Sequence, residues 1–114
     1  MPPKKNPLNL NKLQLRTLIL AQILAKDPET GLKDEKTGVV ALMTFPQGHG
    51  NHVHVGRFTV SSKDASGFSN PAVWAALERK GLSISRGPMG VSLTASALEY
   101  DTGLENKFLV QSDH

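Results

Sequence analysis

The stretch Asn70-Pro71-Ala72-Val73-Trp74-Ala75-Ala76-Leu77-Glu78-Arg79-Lys80-Gly81-Leu82 decides how the rest of the chain is read. Asn70 has the short polar side chain that caps a helix start, Pro71 fits the first helical position, and Gly81 suits the C-terminal cap. The spacing predicts a helix over 70–80 with two unlike faces. Val73, Trp74, Ala76 and Leu77 point one way and form the core side, Trp74 with them. Ala72, Ala75 and Arg79 point another way, and nothing in the pattern asks for them to be buried. Two short strands are expected next, Leu82–Ser85 and Val91–Thr94, around a tip of Arg86-Gly87-Pro88-Met89-Gly90. Ser96 and Glu99 have the spacing of a capping box for a short last helix.

Upstream, Asn11 and Gln14 form another capping box, and Leu10 with Leu15 can staple across it. A helix is therefore expected from Lys12 to about Lys26, ended by Asp27-Pro28. It carries two apolar stripes. Leu13, Leu20, Ala21 and Leu24 make a broad core face. Leu15, Ile19 and Ile23 make a second ridge, which either a later segment or a second copy of the chain must cover; the expectation is a homodimer interface. Asp27–Gly38 reads as a charged, turn-rich connection. Val39–Phe45 reads as a strand stopped by Pro46. Gln47–Asn51 is a loop, and His52–Val60 alternates as a second strand with Gly56 as a bulge. These two strands are expected to form a β-hairpin. Ser61–Ser69 has room for one short helical turn, and a strand at Lys107–Val110 is one option for the end.

The order from Ser62 onward resembles the recognition helix and wing of the winged helix-turn-helix family. There a Leu-Glu-x-x-Gly-Leu ending leads into a β-wing, and a Leu-Thr pair opens the next helix. The matching residues are Leu77-Glu78-Arg79-Lys80-Gly81-Leu82 and Leu93-Thr94. The match covers roughly residues 62–100, under half of the chain. Two features depart from the pattern: the segment before the helix is short and contains Gly67, and the upstream hairpin is longer than the single strand usual there. The resemblance implies an α+β, winged-helix-like domain with an additional β-hairpin after the first helix. Its function would be that of a small DNA-binding transcriptional regulator and not an enzyme, with helix 70–80 and wing 82–94 on duplex DNA. Ser69, Asn70, Ala72 and Ala75 would approach bases or phosphates, and Arg57, Lys63, Arg79, Lys80 and Arg86 would neutralise phosphates. A non-catalytic protein-interaction domain is the alternative on the same fold.

Composition bounds these readings. The chain has 114 residues, 39% hydrophobic, and no cysteine. That suits one domain at 10–103, between a flexible basic tail at 1–9 and an extension at 104–114. It excludes disulfides and cysteine-ligated metal sites. The formal charge is +3, with five basic residues and no acid in the first 26 positions and a net negative charge over 91–114. No apolar run approaches the ~20 residues of a membrane span, so no membrane partner is expected. Leu18–Ala25 is interrupted by Gln22 and followed by Lys26-Asp27-Pro28 rather than a cleavage site, so a cytoplasmic location is expected.

The sharpest chemical signal is His49, His52 and His54. On a strand, His52 and His54 share a face, and His49 in the preceding loop can join them. Three imidazoles suit zinc, nickel or copper, so the alternative from another class is a metal-binding protein or small metalloenzyme. No cofactor is otherwise implied. The string His52-Val53-His54-Val55-Gly56 is also similar to the histidine-triad motif of nucleotide hydrolases, but Gly56 stands where the third histidine belongs. No nucleophile–base pair is evident.

Overall fold

The computed structural model describes residues 6–43, 48–49, 51–55, 58–63, 65–85, 90–102 and 110–111, with backbone alone at 48, 49, 58, 69, 110 and 111. Among them are three α-helices and two antiparallel sheets, a mixed α+β arrangement.

Helix α1, Lys12–Lys26, forms as its N-terminal signals require. The Gln14 backbone N–H donates to Asn11 Oδ1 at 2.8 Å, and Gln14 Oε1 accepts from the Asn11 N–H at 3.0 Å. This helix is the hub of the molecule. It packs against both sheets and against the other helices. A helix with neighbours on all sides must be apolar on most of its circumference. That is the physical reason for its second stripe, and it corrects the homodimer seam expected there. Leu15 is 7% exposed, Ile19 is 5% exposed, and Ile23 is half-buried against the same core. The protomer itself covers the ridge.

Part of the surrounding structure comes from residues 6–10, part of which was expected to be a flexible tail. The Asn6 N–H donates to the Asp101 carbonyl at 2.8 Å, and Asn6 Oδ1 accepts from the Leu10 N–H at 2.9 Å. The Tyr100 hydroxyl donates to Asn6 Oδ1 at 2.6 Å and accepts from the Leu8 N–H at 3.0 Å. Gln22, deep in α1, donates to the carbonyls of Ala97 and Tyr100. The entering chain is therefore clasped to the region after the last helix.

The first sheet has strand order β1-β2-β7-β6, where β1 is Gly31–Lys33, β2 Val40–Leu42, β6 Ser83–Ser85 and β7 Val91–Leu93. Val40 pairs with Leu93 and Leu42 with Val91, and all four are buried on one face. The sequence reading placed β1 inside a connection, because Gly-Leu-Lys has no β signature of its own. Pairing with β2 makes it a strand.

The second sheet has order β3-β4-β5-β8, where β3 is Gly48–His49, β4 His52–Val55, β5 Phe58–Ser61 and β8 Val110–Gln111. This corrects the expected hairpin. Among the described residues Val40–Leu42 does not pair with the His52–Val60 segment, whose strands β4 and β5 pair with each other. The expected bulge at Gly56 lies outside the described residues. Val53, Val55 and Val60 are buried, a choice of face set by alternation along each strand.

The 3₁₀ turn Ser66–Ser69 leads into α2, Pro71–Arg79. Phe68 and Trp74 are both buried with ring centroids 5.8 Å apart, and Trp74 Nε1 donates to the Phe68 carbonyl at 3.0 Å. At the other end the Leu82 N–H reaches the Leu77 carbonyl and the Gly81 N–H reaches the Glu78 carbonyl. Gly81 has φ +77°, and Leu77 and Leu82 are fully buried together. This is a Schellman motif with its hydrophobic contact, the physical content of the Leu-Glu-x-x-Gly-Leu string. Helix α3, Ala95–Leu98, is capped by Thr94, whose side chain accepts from the Ala97 N–H. The sequence reading placed that cap at Ser96; Thr94 wins because its hydroxyl also donates to the Gly81 carbonyl at 2.8 Å, tying α3 to the end of α2.

Candidate nucleic-acid interface

The surface of interest is the outer side of α2. Val73, Trp74, Ala76 and Leu77 are buried, while Pro71, Ala72, Ala75, Glu78 and Arg79 are exposed. The helix is thus held firmly by one side, and the other is a face of small side chains bounded by a cation. Lys80 follows at the C-cap and is exposed, as is Lys63 in the turn before the 3₁₀ segment. Ser66, also exposed, anchors that turn by donating from Oγ to the Lys63 carbonyl at 2.8 Å.

Asn70 has a narrower part than the sequence suggested. Its Oδ1 accepts from the Ala72 N–H at 3.0 Å, so the amide is engaged in capping. Glu78, a negative charge among the cations, has a structural reason to be there. Its Oε1 accepts from the Ser85 N–H at 2.9 Å, bracing β6 against α2. A carboxylate accepting a backbone N–H is a charge-assisted bond, and here it fixes the hairpin relative to the helix. The residue identity alone did not show this role, because Ser85 lies seven positions away through a turn.

Of the other residues predicted to meet DNA, Arg57 and Arg86 lie outside the described residues, as does the Ser69 side chain. Ala72, Ala75, Arg79 and Lys80 stand together on or next to the one helix.

The histidines lie in the second sheet. His52 is half-buried and His54 exposed, and both project from the face of β4 opposite Val53 and Val55. Their ring centroids are 4.9 Å apart with planes at 87°. His49 pairs with His52 in the β3–β4 ladder, and its side chain lies outside the description. Among the described residues no group of three or more His, Asp or Glu side chains is placed to hold a metal ion. Likewise, no described helix is long and apolar enough to cross a membrane.

Comparison with protein-family models finds no match, and neither the curated proteins nor the solved structures give a significant one.

Proposed function

We propose that the chain is a winged-helix-type DNA-binding protein that sets the outer face of α2 into the major groove of a duplex, with the β6–β7 hairpin as its wing. The observation that carries this reading is the division of α2 into a buried side and an open one. Ala72 and Ala75 are exposed on a helix locked by Val73, Trp74 and Leu77. A rigid helix with small outward residues can approach base edges closely, and cations at its margin position it on phosphates.

The topology supports the same reading. A helix, a strand, a short helical turn and a second helix are followed by a hairpin, and β2 lies against β7 rather than against β6. A strand beside β7 is the neighbour relation expected if the β6–β7 hairpin is a wing, and it supports this reading. On this reading β1 and the β3–β5 segment are additions to the module, and a role in transcriptional regulation follows from DNA binding. A homodimer is not part of the proposal, because its expected seam is covered.

The test is binding to a mixed-sequence duplex across a salt series. If Arg57, Lys63, Arg79, Lys80 and Arg86 all meet phosphates, log Kobs should fall with log salt at a slope of about −4.5. Arg79→Ala should weaken binding and flatten that slope by about one. Absence of binding at low ionic strength, or binding indifferent to salt and to Arg79→Ala, would reject the proposal and leave α2's open face to a protein partner.

A further inference from the structure

We propose that His52 and His54 form a two-imidazole chelate for a borderline transition-metal dication such as zinc, nickel or copper. Strand β4 pairs along its whole length with β5, and on its other edge β3 pairs with His52 and Val53. Residues two apart on such a strand share a face, so the ladder sets the separation of the two side chains before any ion arrives. Little ordering remains to be done on binding, which favours a site of few ligands.

The distance suits one shared ion. A metal–nitrogen bond of about 2.0–2.1 Å puts an imidazole centroid roughly 3.2 Å from the metal. Two rings meeting at an angle between square and tetrahedral then have centroids about 4.5–5.2 Å apart. The observed separation is 4.9 Å. Neutral imidazole is a preferred donor for these ions, and hard cations such as magnesium or calcium would be refused. Exposure of His54 and partial exposure of His52 leave an entry path and room for water to complete the coordination.

The neighbouring strand supplies a supporting layer. Ser61 stands opposite His52 and Thr59 opposite His54 in the register. Hydroxyls at those positions are suited to orient the imidazoles through the ring nitrogen that does not bind metal. The chelate is independent of the DNA reading, since Arg79→Ala should leave metal binding unchanged.

The experiment uses the full chain stripped of metal and titrated with zinc chloride in competition with a chromogenic chelator, followed in parallel by imidazole NMR. One equivalent should bind saturably, and the ring resonances of His52 and His54 should move together. His52→Ala and His54→Ala should each weaken binding at least about tenfold without changing the metal-free melting curve. Should either alanine variant fail to fold, His52→Asn and His54→Gln, which keep a polar side chain, serve in its place. Metal binding that survives both substitutions, ring shifts that leave these two residues untouched, or no saturable binding would overturn the proposal.

Discussion

Gly67→Ala tests how the short turn before α2 meets α1. A Cβ added at Gly67 would fall well inside 3.0 Å of Thr17 Oγ1, at 3.2 Å from Thr17 Cβ and at 3.5 Å from Leu13 Cδ1. Thr17 cannot easily yield. It is fully buried, and its hydroxyl donates to the Leu13 carbonyl at 2.8 Å. Threonine in a helix also has few alternative rotamers. The turn must therefore move away from α1, an overpacking of a kind that costs about 1–3 kcal/mol. Gly67 is not in the left-handed region, so alanine recovers about 0.4–1 kcal/mol from the unfolded chain. A net loss of roughly 1–2 kcal/mol, or about 5–8 °C in melting temperature, is expected. Thr17→Ala alone should lose about 1 kcal/mol with its hydrogen bond. In the double variant the closest clash is gone and only the 3.2 Å contact remains. Urea denaturation of the four proteins should show a favourable coupling of about 1–2 kcal/mol, the double variant being no less stable than Gly67→Ala. Strict additivity of the two losses would refute the claim that Thr17 is what glycine avoids.

Three further substitutions check other parts of the argument. Gly81→Ala has open space for its methyl group but must hold φ near +77°, so it should lose about 1–2 kcal/mol in denaturant melts through backbone strain alone. Tyr100→Phe removes the partner of the Leu8 N–H and one donor to Asn6; a loss of about 1–3 kcal/mol is expected. Amide exchange should show it as faster opening of residues 6–10, and unchanged exchange there would contradict the clasp. Ile19→Ala should destabilise by about 2–5 kcal/mol because the side chain is buried in the protomer. Sedimentation before and after the change should give the same mass; dissociation of a dimer would restore the seam that the fold argues against.

Local signals in the sequence were read well where the physics is local. Asn70, Pro71 and Gly81 bound α2 through hydrogen bonds and dihedrals that a few neighbouring residues determine, and the division of α2 into two faces follows from helical spacing. Asn11 and Gln14 start α1 for the same reason. Pairing between distant strands was a different matter. Val40–Leu42 is continuously apolar and His52–Val55 alternates, both patterns suit strands, and proximity in sequence favours joining them. The actual neighbours of β2 are β1 and β7, the latter some fifty residues later and matched by burial of Val40 with Leu93 and Leu42 with Val91. Nothing in a strand's composition names its partner. Ser96 against Thr94 shows the same limit on a smaller scale, since the deciding bond from Thr94 goes to Gly81 across the hairpin.

The face of α2 shows why the fold of this chain was easier to read than its use. Alanine at 72 and 75 allows close approach to a partner, yet alanine is also the best helix former, and α2 has only nine residues. Local stability alone is therefore enough to account for both positions. Glu78 places a negative charge on this side of α2, which phosphate binding does not ask for. Its bond to the Ser85 N–H gives that carboxylate a different task, holding the hairpin beside the helix. The carboxylate keeps its negative charge in that bond, so the surface next to Ala72 and Ala75 carries Arg79 and Lys80 against one acid held to the hairpin. Alanines that helix stability explains become informative only when the charge beside them has no comparable structural use, and that is why Arg79, rather than Ala72 or Ala75, is the residue on which the DNA reading should be tried first.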